Sequence, residues 1–173
     1  MLYFYLSCTA LIIFLIYVIT CLCLFGVTTS LSDTYYKFED KKKGLGKILF
    51  YSVLAIVALL TIISVIDKVG IFALLMAVGI LLVAVFPEFN DNTQMDLILH
   101  PIGAGIAAIT SIVVLFMLLP VKYAFILLGL VTSIVLLFAL STNTLKSCYI
   151  YHIEMIAFYT LFGSTIFYNL LLR

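Results

Sequence analysis

Long apolar runs broken by short polar segments set the pattern of the chain. A helix needs about 20 mostly apolar residues to cross the hydrocarbon core of a bilayer. Six runs meet or approach that length: 3–27, 48–66, 71–86, 101–119, 123–140 and 149–172. Each is continuously apolar rather than alternating, so the runs predict helices and not the strands of a barrel. Asp67-Lys68-Val69-Gly70 and Pro120-Val121-Lys122 are short enough to be hairpin connections, and the third run stops at Pro87. The expected fold is all-α: a polytopic membrane protein in which residues 1–173 form one bundle of six transmembrane helices.

Composition agrees with this reading. The chain is 66% hydrophobic and 10% charged, where a soluble domain carries about 25% charged residues. Its mean hydropathy is +1.34. Such a chain cannot clothe itself in polar surface, so lipid is its expected solvent and membrane lipid its first partner. No hydrophilic stretch is long enough for a second domain, and a net charge of +1 gives no sign of a nucleic-acid partner. The first run lacks a basic flank and exceeds the length of a signal-peptide core, so it reads as a retained span. Cys21 and Cys23 are two residues apart and lie on different faces of a helix. With Cys8 and Cys148 they are expected to be buried apolar thiols rather than a redox or metal set.

Lys and Arg in the loops give an orientation. The loops after the first, third and fifth spans hold Lys37, Lys41, Lys42, Lys43, Lys47 and Lys146, six in all, against three on the other side, Lys68, Lys122 and Arg173. The first side is expected to be cytoplasmic, with both termini facing out. On that side fall Asp33, the acidic stretch from Glu88 to His100, His152 and Glu154. The bundle is thus expected to gather its ionisable groups at one end.

Glu154 lies about a turn and a half inside the sixth run, between Ile153 and Met155. A carboxylate at mid-membrane costs about 2.5–3.5 kcal/mol on insertion scales, so such residues face the bundle interior and are paired or protonated. It reads either as a ligand or proton-transfer group, or as an interfacial carboxylate bonded to Tyr151 or Thr160. His100 reads as a metal ligand or proton carrier, or as a helix-capping histidine. Asp96 is four residues before it, which on a helix would stack the two. Pro101 prefers the first helical position, which makes His100 a cap and leaves Asp96 in the loop. The run Thr28-Thr29-Ser30-Leu31-Ser32-Asp33-Thr34-Tyr35-Tyr36 is dense in hydroxyls around one carboxylate. It reads as a capping and turn segment at headgroup level, with Tyr35 and Tyr36 in the interfacial belt, or as the source of a nucleophilic Ser30 or Ser32 if a base stands in reach. Gly103, Ala107 and Ser111 recur every four residues and predict close helix packing. His152 points away from Glu154 on a helix and is expected at the interface. No HExxH, HxxxH, P-loop or GxSxG pattern is present.

Three stretches together resemble small six-span membrane proteins of gut Bacteroidota and their phages. They are Ser30-Leu31-Ser32-Asp33-Thr34-Tyr35-Tyr36, Val85-Phe86-Pro87-Glu88-Phe89 followed by His100, and Ile153-Glu154-Met155-Ile156-Ala157-Phe158. The resemblance implies that Asp33, His100 and Glu154 belong to one constellation, and it implies a bacterial inner membrane. It carries no activity. A fainter resemblance is to intramembrane hydrolases of the alkaline ceramidase and adiponectin-receptor type, which have seven spans and a zinc ion held by three histidines. This chain has only two histidines, so zinc as cofactor would need Asp33, Asp96 or Glu154 to substitute, with Asp33, His100 and Glu154 as the candidate set.

Three functions follow from these residues. The favoured one is a non-catalytic membrane protein whose Ser30, Ser32, Asp33, Asp96, His100 and Glu154 bind a small ligand, a proton or a lipid headgroup. The second is a lipid hydrolase with Ser30 or Ser32 as nucleophile, His100 as base and Glu154 as partner. The third is a protomer of a homo-oligomeric transporter or channel, although no span shows the Gly/Pro-broken centre of a transport site.

Overall fold

The structure is a computed structural model that describes residues 1–87 and 94–172, with the backbone alone for 94–97. All its regular elements are helical: α1 Leu2–Phe25, α2 Asp33–Lys41, α3 Leu45–Val69, α4 Ile71–Val85, α5 Gln94–Leu118, α6 Val121–Ser141 and α7 Tyr149–Phe167, extended by a π-helical turn, Tyr168–Leu172. Five helices are long and apolar enough to cross a membrane, and α4 is a shorter apolar helix. The protein is an all-α, multi-pass membrane bundle.

The distribution of side chains is that of a protein dissolved in lipid. Large aliphatic residues such as Ile12, Ile16 and Ile19 on α1, Ile109 on α5 and Leu130, Ile134 and Leu137 on α6 face outward. Several hydroxyls within the spans are satisfied by their own helix, as lipid requires: Thr20 Oγ1 donates to the Ile16 carbonyl at 2.7 Å and Ser111 Oγ to that of Ala107 at 2.7 Å. Phe14 of α1 stacks on Phe158 of α7 with ring centroids 4.4 Å apart, one anchor of the core. At the end remote from residues 28–33, Asn169 Nδ2 donates to Ser7 Oγ at 3.1 Å and to the Ser64 carbonyl at 3.2 Å, tying α7 to α1 and α3.

The small-residue face on α5 packs against α4 backbone to backbone. A methyl group at Gly79 would lie 2.6 Å from the Ala107 nitrogen, and one at Gly103 would lie 2.6 Å from Leu82 Cβ and 2.9 Å from the Gly79 carbonyl. Such contacts give helices in lipid their dispersion energy, because lipid chains are as apolar as leucine and supply no hydrophobic drive.

Two elements differ from expectation. Residues 33–41 form the short helix α2 rather than a turn. Its Tyr35 and Phe38 are buried, so Tyr35 belongs to the core and not to an interfacial belt. Phe38 packs edge-on to Phe25 at 4.9 Å, and Lys41 Nζ lies 5.1 Å over the Phe25 ring. Helix α5 starts at Gln94, so Pro101 lies inside it and both Asp96 and His100 are helical. The Asp96 side chain lies outside the described residues, as do Glu88–Thr93 of the acidic stretch. Among the cysteines, Cys21 and Cys148 are buried as expected, whereas Cys8 is half-buried and Cys23 is exposed on the outer surface of α1. Cys23 shows that an apolar thiol tolerates lipid contact as readily as burial.

Glu39, at the end of α2, caps α3. Its carboxylate accepts the Gly44 N–H at 2.7 Å and the Lys47 N–H at 3.0 Å. These donors, Gly44 first, hold Glu39 below the ordinary glutamate value of 4.5. A lowered folded value means a contribution present above that ordinary value and lost as pH falls through the folded one. Glu39→Gln is expected to melt below wild type at neutral pH, with the gap narrowing below pH 4.5. A melting series in detergent between pH 7 and pH 3 reads this directly. A second melt tests the α4–α5 contact. Gly103→Leu is expected to cost about 1–3 kcal/mol or more through overpacking, while Gly105→Leu, with nothing within 4 Å of its added Cβ, is expected to melt near wild type.

Candidate functional site

The non-helical segment between α1 and α2 docks on the first turns of α7. Helix N-termini leave backbone donors unpaired, and the Tyr151 N–H of α7 finds the Thr29 carbonyl at 3.2 Å. Within the segment, Thr28 Oγ1 donates to the Ser30 carbonyl at 2.7 Å. The Asp33 N–H donates to Ser30 Oγ at 3.1 Å, so Ser30 caps the start of α2. Thr34 Oγ1 pairs with the Tyr17 hydroxyl of α1 at 2.5 Å.

Because Ser30 does the capping, the Ser32 hydroxyl is free for another partner. Ser32 is the residue before α2, makes no side-chain cap, and is fully buried. Its Oγ lies 3.1 Å from His100 Nε2, and His100 Nδ1 lies 2.8 Å from the Phe86 carbonyl. A carbonyl only accepts, so Nδ1 carries a proton. In the neutral ring Nε2 is then the acceptor and Ser32 donates to it. A hydroxyl, a basic nitrogen and an orienting acceptor thus stand in series, the order used to activate a serine. His100 acts here from within α5, not as its cap.

One residue away, Glu154 Oε2 accepts the Leu31 N–H at 2.6 Å. Neither Tyr151 nor Thr160, the expected partners, bonds it; Thr160 Oγ1 is buried with no partner among the described residues. Glu154 is half-buried because it also borders a groove of about 180 Å³ between α5 and α7. Leu54, Ile80, Val83 and Ala107 form its apolar floor and walls, and Ile150 and Ile153, exposed on the outer surface, form its lip. The structure therefore brings Ser32, His100 and Glu154 together through residues 31–32. Asp33 is half-exposed, and no described contact joins its carboxylate to this group. Among the described residues no three His, Cys, Asp or Glu side chains converge as a metal set.

His152 departs from its expected place at the interface. It is 3% exposed, with Phe138 edge-on at 6.3 Å and Nε2 3.0 Å from Thr144 Oγ1. Its position two residues before Glu154 carries it to the opposite side of α7, where α6 covers it. No sequence signal marks that burial, since α6 is apolar around its whole circumference.

These features define a class: a multi-pass membrane bundle with a buried polar group beside a lipid-facing groove. No known family's sequence profile matches the chain, and neither a curated protein nor a solved structure is significantly similar to it.

If Glu154 holds residues 31–32 in place, its acceptor oxygen matters more than its charge for the fold. Glu154→Gln keeps an acceptor for the Leu31 N–H and is expected to melt within about 0.5 kcal/mol of wild type. Glu154→Leu orphans that buried donor and is expected to cost about 1–3 kcal/mol. Paired melts of the three proteins in one detergent decide it; equal stability of the Gln and Leu variants would remove the bond from the account.

Proposed function

We propose that the protein binds an amphiphilic lipid, its chain lying in the α5–α7 groove and its polar head at Glu154. The observation that supports this is the carboxylate itself. It stands at the inner end of an otherwise apolar, lipid-facing groove, and the Leu31 N–H is its sole partner among the described residues. An intramembrane carboxylate is costly and marks a binding path by default. A carboxylate accepts hydrogen bonds and attracts cations, so the head it selects carries N–H donors. The Lys excess in the loop after α1 supports placing this end at the cytoplasmic face.

The test adds amphiphiles of equal chain length to the delipidated protein and follows the melt. An amine-headed lipid is expected to raise the melting temperature; saturation at 100 times Kd corresponds to about 2.7 kcal/mol. A carboxylate-headed lipid is expected to give little or no rise. Ala108→Phe, which narrows the groove, and Glu154→Gln are each expected to weaken the amine effect. Equal stabilisation by both heads, unchanged in both variants, would overturn the reading.

The Ser32–His100–Phe86 series supports a second reading, hydrolysis of a lipid ester or amide with Ser32 as nucleophile and His100 as general base. It predicts covalent labelling of the detergent-solubilised protein by a fluorophosphonate, abolished in Ser32→Ala and slowed at least tenfold in His100→Phe. No label on the folded wild type would discard it and leave the binding reading standing.

A further inference from the structure

A second cavity lies on the other side of α7, separate from the Glu154 groove. It has a volume of about 380 Å³ and lies between α1, α6 and α7, with Leu22, Val135 and Met155 in its apolar wall. That volume is within the range of about 300–1,000 Å³ typical of small-molecule sites. Ile134, 58% exposed on the outer surface, stands at its rim, so the cavity opens sideways toward lipid. The His152 ring forms part of the wall, and His152 Nδ1 is buried with no hydrogen-bond partner among the described residues. An unpaired buried polar atom is costly and calls for an explanation.

The neighbouring hydroxyls fix what Nδ1 offers. Thr142 Oγ1 donates to the Phe138 carbonyl at 2.9 Å, so its proton is committed there. Thr142 Oγ1 lies 2.7 Å from Thr144 Oγ1, and with the Thr142 proton on Phe138 we assign Thr144 as the donor. Thr144 Oγ1, its own proton spent, accepts from His152 Nε2, 3.0 Å away. A neutral imidazole protonated on Nε2 presents a bare lone pair on Nδ1. The missing partner is thus a donor, not an acceptor.

We infer that this cavity binds a neutral membrane lipid whose head is a free hydroxyl, the hydroxyl donating to His152 Nδ1. The apolar wall and the sideways opening admit hydrocarbon directly from the bilayer. Among the described residues the wall holds no Lys or Arg to meet a phosphate and no carboxylate to meet an amine. A hydroxyl is the smallest head that supplies the donor without a charge. His152 lies in the first turn of α7, so the hydroxyl would sit just inside the bundle end, with the chains running along α1 and α6. Phe138, edge-on to the imidazole and partly exposed in the same wall, is the side chain that must swing to admit it.

The chain has no tryptophan, so Ile134→Trp at the rim gives a single tryptophan, excited selectively at the red edge beyond tyrosine absorption. The protein is placed in phosphatidylcholine nanodiscs containing a few per cent of dioleoylglycerol, with brominated chains on one lipid or the other. Brominated dioleoylglycerol is expected to quench several-fold more than an equal mole fraction of brominated phosphatidylcholine. That preference should vanish in His152→Phe, which keeps a ring and removes the acceptor. In wild-type protein with nitrogen-15-labelled histidine, the pyridine-type nitrogen of His152 should shift on titration with dioleoylglycerol and not with phosphatidylcholine. This second readout decides the matter if His152→Phe fails to fold. Equal quenching by the two brominated lipids, a preference that survives His152→Phe, or a stationary Nδ1 resonance would each overturn the inference. None of these readouts involves Glu154, so failure here leaves the groove reading untouched.

Discussion

A backbone amide buried inside a bundle has no water to turn to, and Leu31, 2% exposed, meets this constraint through a carboxylate 123 residues away. Lipid tolerates irregular backbone only where the protein itself satisfies it. The segment between α1 and α2 is such backbone, and its bonds run to α7, to its own hydroxyls and to α1. The positions of Ser32 against His100, of α2 over α1 and α3, and of the groove beside α7 all depend on this docking. Glu154 thus has two duties that pull in one direction: it holds the fold at the place where it meets the groove.

The spans were legible because they rest on the strongest signal a sequence carries, long uninterrupted apolar runs. Close packing of α5 was legible as well, since Gly103, Ala107 and Ser111 repeat at helical spacing; that the partner is α4, through Gly79, was not. Helix α2 was not: its nine residues are polar overall and too few for a span, and the buried strip of Thr34, Tyr35 and Phe38 finds its packing on Phe25 and Tyr17. The start of α5 was misplaced because proline favours the first helical turn; here Pro101 sits deeper, and the lost backbone bond is tolerated. Ser32 and His100 were both candidates, but their pairing depends on Ser30 taking the cap, a choice between two serines that spacing does not decide. The partner of Glu154 was out of reach for a simpler reason. Side-chain types can be read from a sequence, whereas a particular backbone N–H cannot.

Helix α7 shows how two residues serve two surroundings. Glu154 and His152 differ by two positions, about 200° around the axis, so the same turns face α5 on one side and α6 on the other. One side carries the carboxylate and the other the imidazole, each in a largely apolar wall. The loops at this end hold the imidazole and the carboxylate in opposite roles, one fixed by a relay of threonine hydroxyls and the other by a single amide.

The short α4 has a consequence for the membrane itself. Its 15 residues span about 22 Å, well under the hydrocarbon thickness of about 30 Å, while α3 and α5, which pack on it, are long enough to cross fully. The close Gly79–Gly103 contact prevents α4 from sliding along α5 to make up the difference, and the Phe86 carbonyl at its end is bound to His100. If α4 crosses the bilayer, the mismatch falls on the membrane, which thins around this corner of the bundle. A protein built this way resides at lower cost in thin membranes than in thick ones.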